Sequence, residues 1–223
     1  MLLALAAQIA FGGQITGTVH AEPKSGADAG ADGGGYASLK YKTAVRVDYS
    51  AMRDFVVYID GLTVTNAAPA TNVTEVTTVR VAQHAAVFTP HVLPVLAGTT
   101  VEWPNNDDIY HNVFSYSELA NFDLGLYKGN PPDKRVRFER AGRVDVFCSI
   151  HENMHCIVLV MANPYFAVTD AGGRYTITNV PPGTYKLKAW HERLPPDEHE
   201  IVVPTNGVIR EDFTLSVKNL RTY

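Results

Sequence analysis

Five side chains able to bind a metal or exchange sulfur fall within nine residues: Cys148, His151, Met154, His155 and Cys156, in FCSIHENMHCIVLV at 147–160. Both cysteines of the chain are here, with two of its eight histidines and one of its four methionines. The spacing Cys148-x2-His151-x2-Met154 lets a loop leaving a strand turn a thiolate, an imidazole and a thioether toward one point. Two histidines, a cysteine and a weak axial methionine form the ligand set of a blue-copper site. The pattern therefore asks for a second histidine at the end of an earlier strand. EWPNNDDIYHNVFS supplies His111, next to Asn112 and thirty-seven residues before Cys148. Other chemistries compete for the same residues. Cys148 and Cys156 can form a disulfide in an oxidising compartment. Cys148, His151, His155 and Cys156 have the donor types of a zinc site. In the third reading, His155 and Cys156 are strand residues and Cys156 is a small buried hydrophobe. Only copper accounts for His111 and its flanks. In that reading, Phe147 and Ile150 are expected to keep water off the metal.

The remaining candidates carry weaker signals. His84 and His91 lie near strand ends and read as surface or hydrogen-bonded core positions, with His91 able to reach the same pole. His191 and His199 flank ERLPPDE, which reads as a solvated loop. His20 carries no signal. Asp107 and Asp108 precede His111 in a loop and are not paired for acid–base work. No Ser/His/Asp arrangement, phosphate-binding loop or dinucleotide glycine pattern is present.

The elements that must position these groups are short strands. Of 223 residues, 46% are hydrophobic and 19% charged, enough apolar material for packed cores. Nothing in a net charge of −4, with no Lys/Arg block, points to a nucleic-acid binder. The segment at 1–13, MLLALAAQIAFGG, is too short to span a bilayer. It fits the apolar part of a secretory signal, though it lacks a basic start, so an exported protein is expected. No other stretch is apolar enough for a transmembrane segment. GQITGTVHAE reads as a strand, PKSGADAGADGGGYAS as a mobile loop, FVVYIDGL as a strand, and NAAPATNVTEVTT as a second linker. From 76 onward, a strand, a Pro break and strands about Gly turns lead through HNVFSYS, RVRFERAGRVDVF and HCIVLVMA, at the spacing of a β-sandwich. After Asn163, the DAGG and PPG turns separate further strands, ending in HEIVVP and EDFTLSV. The fold class expected is all-β.

GTTVEWPNND…HNV, followed by GRVDVFCSIHENMHCIVLV, resembles the cupredoxins, and within them the small plastocyanin/amicyanin-like group. The resemblance covers about residues 76–162 and implies a Greek-key β-sandwich. It also implies one type-1 copper ion held by His111, Cys148, His151 and Met154. Asn112 and Ser149 resemble the pair that hydrogen-bonds the two ligand loops together, the kind of outer contact that orients ligands. The run TDAGGRYTITNVPPGTYKL is similar to the small β-sandwich of the carboxypeptidase regulatory-like, or transthyretin-like, family. That family opens with I-x-G-x-V and A-x-V-x-I-x-G elements. Here ITGTV and FVVYIDG lie before the copper region. A second sandwich, discontinuous around an inserted cupredoxin, is therefore expected. Residues 14–75 would supply its first strands and residues 163–223 the rest. The alternative is that these early strands extend the cupredoxin itself.

These resemblances imply single-electron transfer between redox partners rather than an enzyme. The edge of His151 would be the electron port, docking on the apolar surface around its loop. The two-part arrangement is also similar to proteins of methylamine utilisation, which implies a dehydrogenase as partner; a cytochrome is the other class. Copper delivery or storage is the alternative, but four methionines are few for that task. A structural β-sandwich protein with a vestigial site is the third reading.

Overall fold

The computed structural model describes residues 12–23, 48–61 and 79–217. The leader and the two linkers read from the sequence lie almost wholly outside these residues. Apart from a 3-10 turn at Tyr49–Ala51, the regular structure described is all β. The chain divides into two compact units, one of Gly61–Phe166 and the other of Met1–Asp60 with Ala167–Tyr223.

The strands run β1 (Gly13–Glu22), β2 (Val56–Asp60), β3 (Val79–Arg80), β4 (Ala82–His84), β5 (Val87–Thr89), β6 (Val92–Leu96), β7 (Thr99–Glu102), β8 (His111–Ser117) and β9 (Ala120–Tyr127). They continue through β10 (Arg135–Phe138), β11 (Gly142–Phe147), β12 (His155–Met161), β13 (Phe166–Val168), β14 (Arg174–Val180), β15 (Gly183–His191), β16 (Leu194–Val203), β17 (Val208–Arg210) and β18 (Phe213–Ser216).

In the unit made from both ends of the chain, β1 pairs antiparallel with β14 and parallel with β17 and β18. A second sheet has the order β13-β2-β15-β16. Alternation along β1 buries Ile15, Gly17 and Val19, as expected of a strand with one face on a core. Gly17 allows a close approach: a Cβ there would collide with the carbonyl oxygen of Glu211. The hydroxyl of Tyr175 donates to that same oxygen at 2.7 Å. ERLPPDE is not the loop read from the sequence. Only Glu192 and Arg193 form the turn, and Pro195 and Pro196 lie in β16. β16 is the edge of its sheet, and its register against β15 is irregular opposite Pro195 and Pro196, neither of which has a register partner there.

The other unit holds a five-stranded sheet, β6-β12-β11-β8-β9, a three-stranded sheet, β10-β7-β3, and the hairpin β4-β5. Val81, Val101, Trp103, Val113, Val144 and Val158 belong to one buried apolar cluster that includes Cys148 and Met154. Burial within it supplies most of the stability. Two elements had no sequence signal in the reading above. β9, ANFDLGLY, carries its buried Tyr127 only at its end. The β4-β5 turn is made by Ala85 and Ala86 at φ 53° and 55°. This left-handed region costs an L-residue energy and is normally filled by Asn or Gly. No described helix is long and apolar enough to cross a membrane.

Candidate metal centre

β8 and β11 are neighbours in the five-stranded sheet. β8 begins at His111, and β11 ends one residue before Cys148. The loop from Cys148 to Met154 closes on itself: Cys148 N–H donates to the Met154 carbonyl at 3.1 Å, and Met154 N–H donates to the His151 carbonyl at 3.0 Å. Short closed loops of this kind hold side chains without long tethers to order.

Three predicted donors meet. Nδ1 of His111 lies 3.0 Å from Nδ1 of His151. Sγ of Cys148 lies 3.6 Å from the same His151 nitrogen. One donor atom from each residue lies within 4.8 Å of the others. Bonds of about 2.0–2.1 Å to nitrogen and about 2.3 Å to sulfur place donors on a tetrahedral ion about 3.3–3.6 Å apart; the Cys148–His151 spacing matches this range, and the two imidazole nitrogens at 3.0 Å lie slightly closer. His111 is fully buried, Cys148 is buried and His151 is half-buried. Met154 is buried at the end of the loop, in the same apolar cluster as Cys148.

The backbone N–H of Asn112 donates to Sγ of Cys148 at 3.5 Å. Its side-chain Oδ1 accepts from Ser149 N–H at 3.3 Å, and its Nδ2 donates to Asp123 Oδ1 at 2.6 Å. Asn112 thus joins the strand carrying His111 to the loop carrying Cys148 and is itself held by β9. Buried polar groups satisfied in this way keep one conformation.

Asp107 is the residue that sequence reasoning missed. Its Oδ2 accepts from Nε2–H of His111 at 2.8 Å and from Ala86 N–H at 3.0 Å. Its Oδ1 accepts from Ala85 N–H at 2.7 Å. These contacts also explain the alanine turn, whose two left-handed N–H groups the carboxylate satisfies. The pKa of Asp107 is held down to about 2, chiefly by the Ala86 N–H, against burial, with help from His111 and Ala85. The i,i+4 spacing from His111 is the one clue the sequence offered.

The other sulfur and imidazole groups go elsewhere. His155 opens β12, and its Nε2 lies 3.0 Å from Asp145 Oδ1 while its ring stacks on Phe147 at 4.7 Å. Cys156 is fully buried opposite Val146, and burial, then the charge of Asp145, pushes its thiol pKa up. Both cysteines are free thiols. His91 contacts the His155 carbonyl through Nδ1 at 3.2 Å. His191 is buried against Phe55, and burial pushes its pKa down. Phe147 and Ile150 do not shield the site as expected: both are exposed. Strand alternation is the reason for Phe147, since Val146 and Cys148 face the core and the residue between them must face out. Met154, Val113 and Tyr127 are among the buried residues on the core side instead.

The family model for polysaccharide lyase family 4, domain II, matches residues 160–209. This is the region in which the sequence led us to expect a carboxypeptidase regulatory-like sandwich, and the matching model is of a different family. No curated protein matches the chain. Among solved structures, it is similar to a Cu(I) form of an amicyanin variant at 23% identity and a TM-score of 0.34, covering 38% of this chain and 82% of that one. It is similar to a copper-containing nitrite reductase from Thermus scotoductus at 26% identity and a TM-score of 0.35, covering 38% and 22%. A purple cupredoxin from Nitrosopumilus maritimus matches at 24% identity and a TM-score of 0.33, covering 37% and 99%.

Proposed function

We propose that this chain is an exported type-1 copper protein that passes single electrons between redox partners. The convergence of His111 Nδ1, His151 Nδ1 and Cys148 Sγ at a closed, buried pole carries this reading. Two imidazoles hold Cu(II), a thiolate and a thioether favour Cu(I), and His₂Cys with an axial Met is a known compromise between them. A bound copper ion would supply the one-electron couple.

The protein's own part is to hold the donors still and dry. The β8–β11 pairing and the Asn112 bridge fix the ligand loops relative to each other. The Asn112 N–H stabilises negative charge on Sγ, since donation to an anionic acceptor is the stronger kind of hydrogen bond. The apolar cluster around Cys148 and Met154 excludes water. His151, the half-exposed member, provides the edge by which an electron enters and leaves. Ile109, Tyr110 and Ile150, sequence neighbours of the ligands, are exposed and offer apolar contact to a dehydrogenase or a cytochrome. Four protein donors leave no open position for a substrate, so the chain is a carrier rather than an enzyme.

The test is to add Cu(II) to the purified protein and to Cys148→Ser, and record visible absorption and EPR. An intense thiolate-to-copper band with narrow copper hyperfine splitting, absent from the variant, is the expected result. A colourless wild-type protein would overturn the proposal and turn attention to zinc or Cu(I) at the same donors.

A further inference from the structure

We propose that Asp107 is a positioning residue of this centre, using its carboxylate to fix the ring of His111 so that Nδ1 faces the metal. This deepens the copper reading and rests on it. An ionised carboxylate can only accept, so at 2.8 Å from Asp107 Oδ2 the Nε2 of His111 must carry the hydrogen. In the neutral ring, the lone pair is then on Nδ1, the nitrogen that faces His151 at 3.0 Å. Metal-binding histidines characteristically hand their other N–H to such an acceptor, which fixes the tautomer and strengthens the donor.

Asp107 is itself held firmly enough to do this. Its carboxylate takes the Ala85 and Ala86 N–H groups, and His84 Nδ1 lies 3.4 Å from Oδ1. Its own N–H donates to Asn105 Oδ1 at 3.0 Å. Asn105 Nδ2 donates to the carbonyls of Ile109 and Tyr127, at 2.9 and 3.0 Å. Tyr127 pairs directly with His111 across β8 and β9. The chain from turn to carboxylate to ring is closed, so His111 cannot rotate without breaking several bonds. A full negative charge beside the ring also favours the more positive copper state, so it lowers the reduction potential.

Asp107→Asn tests this, because an amide oxygen still accepts from Nε2–H while the charge is gone. Asp107→Ala removes both. Nitrogen-15 NMR of the metal-free proteins reads the His111 tautomer, and circular dichroism reports whether each variant is folded. Competition with a copper chelator and redox titration follow on the loaded proteins. In wild type we expect a single tautomer with hydrogen on Nε2. Folded Asp107→Ala should mix tautomers and bind Cu(II) about 10–100-fold more weakly, while Asp107→Asn should keep the tautomer and have a higher reduction potential. A wild-type tautomer and affinity in folded Asp107→Ala would overturn the positioning role while leaving the copper site standing, and a wild-type potential in folded Asp107→Asn would overturn the effect of the charge. A wild-type protein with no thiolate–copper band would instead overturn the copper reading, and with it the role of Asp107 toward a metal.

Discussion

Two histidine–carboxylate contacts, one in each unit, show how the same chemistry is put to different ends. His111 is fully buried and gives one nitrogen to Asp107 at 2.8 Å. Its other nitrogen faces the imidazole of His151, beside the sulfur of Cys148. His199 is about a third exposed, and both its nitrogens face carboxylates, Glu211 at 2.5 Å and Asp197 at 3.4 Å. Its ring stacks on Phe213 at 4.5 Å. With acids on both sides, His199 has no nitrogen directed at a soft donor set. A histidine's function follows from what its second nitrogen faces, and that is a property of the fold around it.

Replacing each histidine should separate the two roles. His111→Ala is expected to have the largest effect. The blue-copper spectrum should disappear, and the metal-free protein should lose about 1–3 kcal/mol as buried partners are left unpaired. Retention of the spectrum would place the second imidazole elsewhere. His199→Ala should leave the copper spectrum unchanged and cost no more than about 1 kcal/mol in chemical denaturation, as exposed ion pairs contribute little. A lost spectrum would show that the two contacts are not independent.

The smallest effect concerns another carboxylate of the same unit as His199. Asp212 accepts from Arg210 and from the N–H and hydroxyl of Thr18. The Arg210 contact, followed by Thr18, lowers its pKa from 3.8 to about 2. A depressed pKa means the folded state prefers the charged form. Its stabilisation is therefore present above about pH 4 and is lost as pH falls toward 2. The melting temperature of Asp212→Asn should fall less steeply than that of wild type across this window. Parallel curves would assign the acid sensitivity to other groups.

Much of the all-β architecture was legible because strands with one buried face write an alternating pattern. HNVFSYS matches β8, and HCIVLVM, a continuous apolar run buried at nearly every position, matches β12. β9 was missed because its alternation runs between half-buried and exposed positions and lacks apolar contrast. The proline pair in β16 misled because edge position and the irregular register against β15, which together accommodate it, are properties of the sheet. The Ala85–Ala86 turn misled because its stability comes from Asp107, more than twenty residues away.

By itself, the sequence determined the donor chemistry: a thiolate, an imidazole and a thioether at spacings a short loop can gather, with a second imidazole expected at the end of an earlier strand, which the structure instead puts at the start of β8. Side-chain type and local spacing are covalent facts, so no fold is needed to read them. Only the tertiary structure decided which of the clustered groups converge. It sent Cys156 to the core and His155 to Asp145, and it brought His111 to His151 across the sheet. It also gave Asp107 its role. Facing direction along a strand and hydrogen bonds between distant loops depend on register and sheet order, which long-range packing sets.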